Sequence, residues 1–207
     1  MKYLISLRYS FHVIFHPFDG FWDLKREGRG SIQAALTIVA LTILTYTVQK
    51  QNTAFLFNFN RLKDLNVMVD IITVLMLYVL WCISSWCLTS LMDGEGTLKD
   101  IAIATAYAVV PIVLINLPLV AISHMITADE GAFYNTFQMI SYIWAGGLLL
   151  FSTMITHQYS MKKTILTIIC TIVGMGIILF IGLLFFSVIQ QIISFVLILY
   201  KELKFRM

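Results

Sequence analysis

Charged residues are scarce in this chain, at 12% of its 207 residues, whereas a soluble globular domain carries about 25%. Hydrophobic residues reach 59%, and the mean hydropathy is +0.88. A net charge of only +3 does not favour a nucleic-acid partner, because such proteins carry a strongly basic face. The expected surroundings of most of the chain are therefore the lipid bilayer.

Segments of strictly alternating polar and apolar residues, the signature of a membrane β-barrel, are also missing. Several apolar stretches instead exceed the roughly 18 residues that mark a transmembrane helix. In hydrocarbon every backbone N–H and C=O group needs an internal partner, which a helix provides. The sequence therefore predicts an all-α integral membrane protein.

Signatures of catalysis are absent as well. The nucleotide-binding pattern GxxxxGK[ST], the metalloprotease pattern HExxH and a pair of aspartates in two spans do not occur. The four histidines lie outside the predicted spans or at their ends: His12, His16, His124 and His157. We therefore predict no catalytic residue, no cofactor and no enzymatic activity.

Metal and disulfide chemistry have little to build on. His12 and His16 share one face of a helix, and two imidazoles can ligate a metal, but no glutamate lies between them. Solvated histidines on an interfacial surface are the preferred interpretation, so no metal site is predicted. The three cysteines, Cys82, Cys87 and Cys170, fall within predicted spans, and we expect them to be small buried hydrophobic residues.

Five spans are predicted, and they form one transmembrane domain over residues 31–207. Residues 1–30 are predicted to be a cytoplasmic or interfacial segment whose amphipathic helix ends at Pro17. The spans cover about residues 32–48, 67–92, 101–126, 137–156 and 164–187, with an apolar extension over 188–200.

The carboxyl-terminal apolar segment leaves two topologies open. Residues 164–200 would form a helix of about 55 Å, which is longer than a bilayer needs. Five crossings are preferred, with a re-entrant or sixth segment as the alternative, because two full spans and a turn need more residues. Five of the fourteen basic residues precede the first span, which places the amino terminus in the cytoplasm.

One stretch combines charge, glycine and proline. Residues 93–97 read Asp-Gly-Glu-Gly-Thr, which is typical of a tight turn with Thr97 capping the next helix. The following span contains Pro111, Asn116 and Pro118. Two prolines in one span predict kinks, which either serve packing or expose backbone oxygens to a solute.

This stretch resembles the Yip1-domain family of multi-pass membrane proteins. The matching features are Gly94, Gly96 and Lys99 in the turn, then Tyr107 after an alanine, and Pro111. Pro17 among aromatic residues, followed by five spans, adds to the resemblance. It implies a helical bundle with a cytosolic amino terminus, and the lack of a long cytosolic amino-terminal region implies a bacterial-type member.

The residues and the resemblance together predict a non-enzymatic accessory or scaffold protein in the bacterial cytoplasmic membrane. Its expected partner is another membrane protein or complex, with a permease of the ABC type as one candidate. The alternative is a small channel or secondary carrier that uses the proline-kinked third span. Eight residues are expected to have structural or partner-facing roles: Pro17, Gly94, Gly96, Lys99, Tyr107, Pro111, Asn116 and Pro118.

Overall fold

A computed structural model describes residues 2–58 and 65–206 of the chain, and every regular element in this part is helical. Eight α-helices follow one another, with a short 3₁₀ helix at Ala128–Glu130 before the seventh. Their bounds are α1 Lys2–Phe15, α2 Pro17–Arg26, α3 Ile32–Asn52, α4 Val67–Leu91, α5 Leu98–Ala108, α6 Val110–Ser123, α7 Gly131–His157 and α8 Met161–Arg206.

Within residues 2–58 and 65–206, five helical segments are long and apolar enough to cross a membrane: α3, α4, α5 together with α6, α7 and α8. The predicted fold class is thereby confirmed. The first span runs on to Asn52, and part of the loop predicted after it lies outside the described residues. The fourth span begins at Gly131, six residues before the predicted start, because the polar residues of its first turns continue the helix.

Successive spans run in opposite directions, so the bundle has two ends. The turn end holds residues 27–31, 92–97 and 158–160, and the loop end holds residues 53–58 and 124–130. Ser31 caps α3 at the turn end, where its hydroxyl accepts a hydrogen bond from the backbone N–H of Ala34 at 3.1 Å.

The first two helices form a hairpin that packs against α3, α5 and α7. Pro17 does end α1, and it also begins α2, since the missing N–H of proline costs nothing in the first turn of a helix. Where the two helices approach, a Cβ on Gly20 would lie 2.8 Å from the Cα atom of Val13. Val13, Phe21 and Leu24 belong to the same buried core as α3 and α5. Sequence reasoning missed α2 and this attachment.

The last helix is continuous over 46 residues, so the described chain has neither the re-entrant segment nor the sixth span that was left open. Its first part packs closely against α4. There a Cβ on Gly174 would lie 2.5 Å from Ser84 Oγ, and Ser84 donates a hydrogen bond to the Thr171 carbonyl at 2.8 Å. From Leu179 to Lys204, every residue whose burial is described is exposed. We call residues 179–206 the distal segment.

Candidate functional site

The glycine-bearing turn at residues 93–97 joins α4 to α5 at the turn end. Asp93 takes a left-handed conformation with φ of 57°, which an aspartate tolerates better than most residues. Thr97 caps α5 as predicted: its Oγ1 accepts from the N–H of Asp100, and the carboxylate of Asp100 accepts from the N–H of Thr97 at 3.0 Å. This reciprocal capping box fixes the direction in which the third span enters the bundle.

The two glycines of the turn are required by the connection between α7 and α8, which covers them. A Cβ on Gly94 would lie 2.5 Å from His157 Nδ1 and 2.7 Å from the Tyr159 hydroxyl. On Gly96 it would lie 2.7 Å from both Thr156 and His157. The backbone N–H of Gly96 donates to His157 Nδ1 at 3.3 Å. The turn and this connection therefore form one close-packed unit, which we call the turn cluster.

Basic side chains neutralise the carbonyl ends of helices in the turn cluster. Lys25 Nζ donates to the Thr156 carbonyl at 2.8 Å near the end of α7, and Lys163 Nζ donates to the Met92 carbonyl at 2.6 Å after α4. Cations at these positions satisfy carbonyls that a helix leaves unpaired. Glu95 lies 3.4 Å from Lys25 and 3.2 Å from Arg26.

The Tyr159 ring completes the cluster. Its hydroxyl donates to the Met92 carbonyl at 3.0 Å, and Lys163 lies over the ring at 4.2 Å from its centroid. Burial, and then the nearby Asp93 carboxylate, raise the pKa of Tyr159. The phenol therefore stays protonated and holds the end of α4 against the start of α8.

Tyr107 lies deeper, in the centre of the bundle, and is completely buried. Its hydroxyl donates to the Ser6 carbonyl at 2.9 Å and lies 2.8 Å from Ser6 Oγ. Ser6 Oγ in turn donates to the Arg29 carbonyl at 2.8 Å. Tyr107 therefore ties the amino-terminal hairpin to the third span.

The third span is interrupted at Val109, between α5 and α6. Pro111 lies in the first turn of α6 and is buried, so the missing N–H of this proline is one that a helix start does not use. Pro118 lies inside α6 and is exposed. Asn116 is fully buried, and its Oδ1 accepts from Ser141 Oγ of α7 at 2.9 Å.

The eight predicted residues do not converge on one site. Gly94 and Gly96 meet in the turn cluster, whereas Tyr107, Pro111 and Asn116 are buried in the bundle and cannot contact a partner protein in this conformation. Exposed surface is found at Lys99 and Pro118, and Pro17 is partly exposed. For the exposed residues, contact with a partner stays a prediction.

Sequence reasoning missed the residues that close the turn cluster from the other side: Lys25, His157, Tyr159 and Lys163. No signal in the sequence pairs residues 93–97 with positions more than 60 residues away. The sequence also predicted that all three cysteines are buried. This is correct for Cys82, whereas Cys170 is half-buried and the side chain of Cys87 is exposed. His12 and His16 do share a face, and their rings stack at 4.9 Å.

One protein-family model matches most of the chain. The family model described as Yip1 domain matches residues 11–199, which covers the turn cluster, all five spans and most of the amino-terminal hairpin. No curated protein and no solved structure matches the chain.

Proposed function

Because the chain belongs to the Yip1 domain family of membrane proteins, we propose that it is a non-enzymatic accessory or scaffold protein that binds another membrane protein. The proposed location is the bacterial cytoplasmic membrane. A permease of the ABC type is the candidate partner that a small accessory subunit of this kind would serve.

The single observation that carries this proposal is the exposure of α8. Only 6% of the most apolar window of this helix is buried inside the protein, against 61% for the third span. A helix of 46 residues is about 69 Å long, roughly twice what the hydrocarbon core needs. An apolar surface that extends beyond the lipid is favourable only when another apolar surface covers it.

The distal segment also carries a narrow polar stripe. Ser187, Gln191 and Ser194 follow one another at spacings of four and three residues, so a continuous helix places them on one face. Val196 lies on the opposite face. Serine and glutamine at such positions hydrogen-bond across helices in membranes, which favours a helical partner over lipid alone.

The basic residues weakly support a cytoplasmic turn end. Lys25, Arg26, Lys99 and Lys163 belong to the segments gathered there, and the loop after α6 contains Asp129 and Glu130 and no basic residue. Lys50 in the last turn of α3, with Arg61 and Lys63 in the connection to α4, offsets part of this asymmetry. Under the positive-inside rule, the remaining bias favours a cytoplasmic amino terminus and turn cluster.

A pair of photoreactive side chains on α8 tests the proposed partner. A benzophenone amino acid replaces Ser194 in one variant and Val196 in a matched control, each expressed in the native membrane. We expect Ser194 to give one stoichiometric crosslinked membrane protein and Val196, on the opposite face, to give that adduct in much lower yield. A stable monomer without protein adducts, or adducts only to a second copy of this chain, would contradict the proposal.

The rival function, a small channel or carrier, has one observation in its favour. The side-chain Nδ2 of buried Asn116 has no hydrogen-bond partner in the described part of the chain. Asn116 lies in α6, the helix that directly follows the break at Val109. Solute flux into liposomes would be compared for the parent, Pro111→Ala and Asn116→Leu. Flux that is absent from the parent, or unchanged in both variants, excludes this function.

A further inference from the structure

Two adjacent cavities lie between α3 and α7, and both helices pack against α6. The first, of about 350 Å³, lies at the loop end. The second, of about 380 Å³, lies deeper, where α4 and α8 also contribute. Tyr46, Gln49 and Tyr142 line both cavities and form the boundary between them. Each volume is within the range of about 300–1,000 Å³ that holds a small molecule.

The cavity at the loop end, which we call the polar chamber, is lined by amides and hydroxyls. Gln49, Asn135 and Gln138 supply amides that form no side-chain hydrogen bond within the described part of the chain. An amide both donates and accepts, so it can bind a hydroxyl group in either role. The remaining lining residues are Lys50, Thr53, Phe57, Asn58 and Tyr134, beside the shared Tyr46 and Tyr142.

The charge of the polar chamber is offset by a buried carboxylate. Among the residues that line the polar chamber, Lys50 is the one cation. Its Nζ lies 2.6 Å from Asp70 Oδ1. Asp70 is 1% exposed, as a carboxylate at this depth can be when it is paired. An anionic ligand would have to compete with Asp70 for Lys50, so the chamber favours an uncharged polar group.

The deeper cavity, which we call the apolar chamber, is lined mostly by aliphatic and aromatic side chains. Val74, Leu77 and Trp81 form its α4 wall, and Leu149 and Met175 come from α7 and α8. A chamber with these walls, inside the span region and next to a polar one, matches a molecule that has an alkyl chain below a polar head.

We propose that the two chambers bind one membrane lipid whose head is uncharged and rich in hydroxyl groups, of the glycosyl diacylglycerol type. The sugar hydroxyls bond the amides of Gln49, Asn135 and Gln138 in the polar chamber. One acyl chain passes between Tyr46 and Tyr142 and ends beside Trp81.

Trp81 provides the reporter for this proposal. In the full-length chain, Trp22, Trp86 and Trp144 are replaced by phenylalanine, and the protein is placed in phosphatidylcholine nanodiscs. Glucosyl diacylglycerol with dibrominated acyl chains is then added at a low mole fraction, and quenching of Trp81 is measured. Dibrominated phosphatidylglycerol and phosphatidylcholine are the anionic and zwitterionic comparisons.

We expect the glucosyl lipid to reach half-maximal quenching at a mole fraction about fivefold lower than either comparison lipid, the effect of about one net hydrogen bond. Asn135→Leu should reduce that preference, and Thr136→Val, on the next residue of α7 but outside the lining, should leave it unchanged. Val74→Phe should abolish quenching by filling the apolar chamber.

Three results would overturn the proposal. Equal quenching by the three lipids would show that Trp81 senses only bulk acyl chains. A preference for phosphatidylglycerol would show that Lys50, and not the amides, selects the head. Complete displacement of the lipid by millimolar methyl glucoside would identify a soluble polyol as the ligand.

Discussion

The third span and the last helix are both strongly apolar, with mean hydropathies of 2.1 and 2.8 over their most apolar windows, yet they occupy opposite environments in the protein. The third span, α5 and α6, is 61% buried over its most apolar window, and α8 is 6% buried over its own. The difference lies in the small and hydrogen-bonding residues. They occur throughout the third span, and on α8 they face α4 only up to Gly174.

This contrast teaches that hydropathy selects the helices that enter lipid but does not assign their neighbours. Lipid chains are as apolar as leucine, so contacts between helices depend on close packing and hydrogen bonds. On α8 the buried positions are Thr164, Thr167 and Thr171, all with small side chains. Where that pattern ends, the helix separates from the bundle.

Adding one methyl group should change the free energy of unfolding in opposite directions in the turn cluster and in the distal segment of α8. This is the largest difference that we expect. Gly94→Ala places a Cβ 2.5 Å from His157 Nδ1 and 2.9 Å from the Thr89 Cβ, which should cost about 3 kcal/mol of the free energy of unfolding. Gly182→Ala meets no atom within 4 Å and should stabilise the helix by up to about 1 kcal/mol. Unfolding in mixed detergent and SDS micelles measures both.

Equal small effects at the two glycines would show that the turn cluster is not close-packed in the membrane. The same outcome would remove the physical reason for glycine at residues 94 and 96.

Removal of one buried hydroxyl gives the next effect. Tyr107→Phe leaves the Ser6 carbonyl without its donor in the centre of the bundle, which should cost about 2 kcal/mol in the same unfolding measurement. Tyr200→Phe, on the exposed distal segment, is the matched control and should change nothing. Protease access to residues 1–26 should also increase in Tyr107→Phe alone, since the hairpin loses its tie.

A smaller effect on stability should distinguish the first part of α8, which contacts Ser84 of α4, from its distal segment. Ser84→Ala removes the hydrogen bond from α4 to the Thr171 carbonyl, and such bonds contribute about 0.6 kcal/mol in membrane proteins. Ser194→Ala, in the distal segment, should leave the stability of the isolated protein unchanged. A loss at Ser194 that equals the loss at Ser84 would mean that copies of the chain associate through the distal segment.

The smallest effect should emerge only at alkaline pH. Burial raises the pKa of Tyr159 above its unfolded value, so stability is complete below about pH 10 and falls as the pH rises through the folded pKa. Tyr159→Phe should remove part of this decline, and Tyr200→Phe should not. An unfolding series from pH 8 to pH 11 checks the two slopes.

Local features of the fold could be predicted from the sequence because their causes are local. The cap at Thr97, the start of α5 at Leu98 and the number of spans depend on residues next to each other. The partners of the turn could not be predicted, because His157 and Tyr159 reach it through tertiary packing. A break at the first proline was also predictable: the third span is interrupted at Val109, and Pro111 lies in the first turn of the helix that follows, whereas Pro118 lies inside that helix.

The candidate sites show the same limit. Asp70 pairs with Lys50 across 20 residues. Its nearly complete burial, however, depends on α3 and α4 lying together, which no spacing rule encodes. The two chambers are formed by side chains from six helices, so no sequence window could have revealed them.

The contact between Ser6 and Tyr107 also bears on how the protein is made. These residues are 101 positions apart, and at synthesis rates of about 5–20 residues per second the first waits roughly 5–20 s for the second. During that interval the hairpin has neither α5 nor α7 to pack against, so Val13 and Phe21 are only partly covered. The first two helices are therefore synthesised well before the spans that lock them in place, and an insertion factor or chaperone has time to hold them.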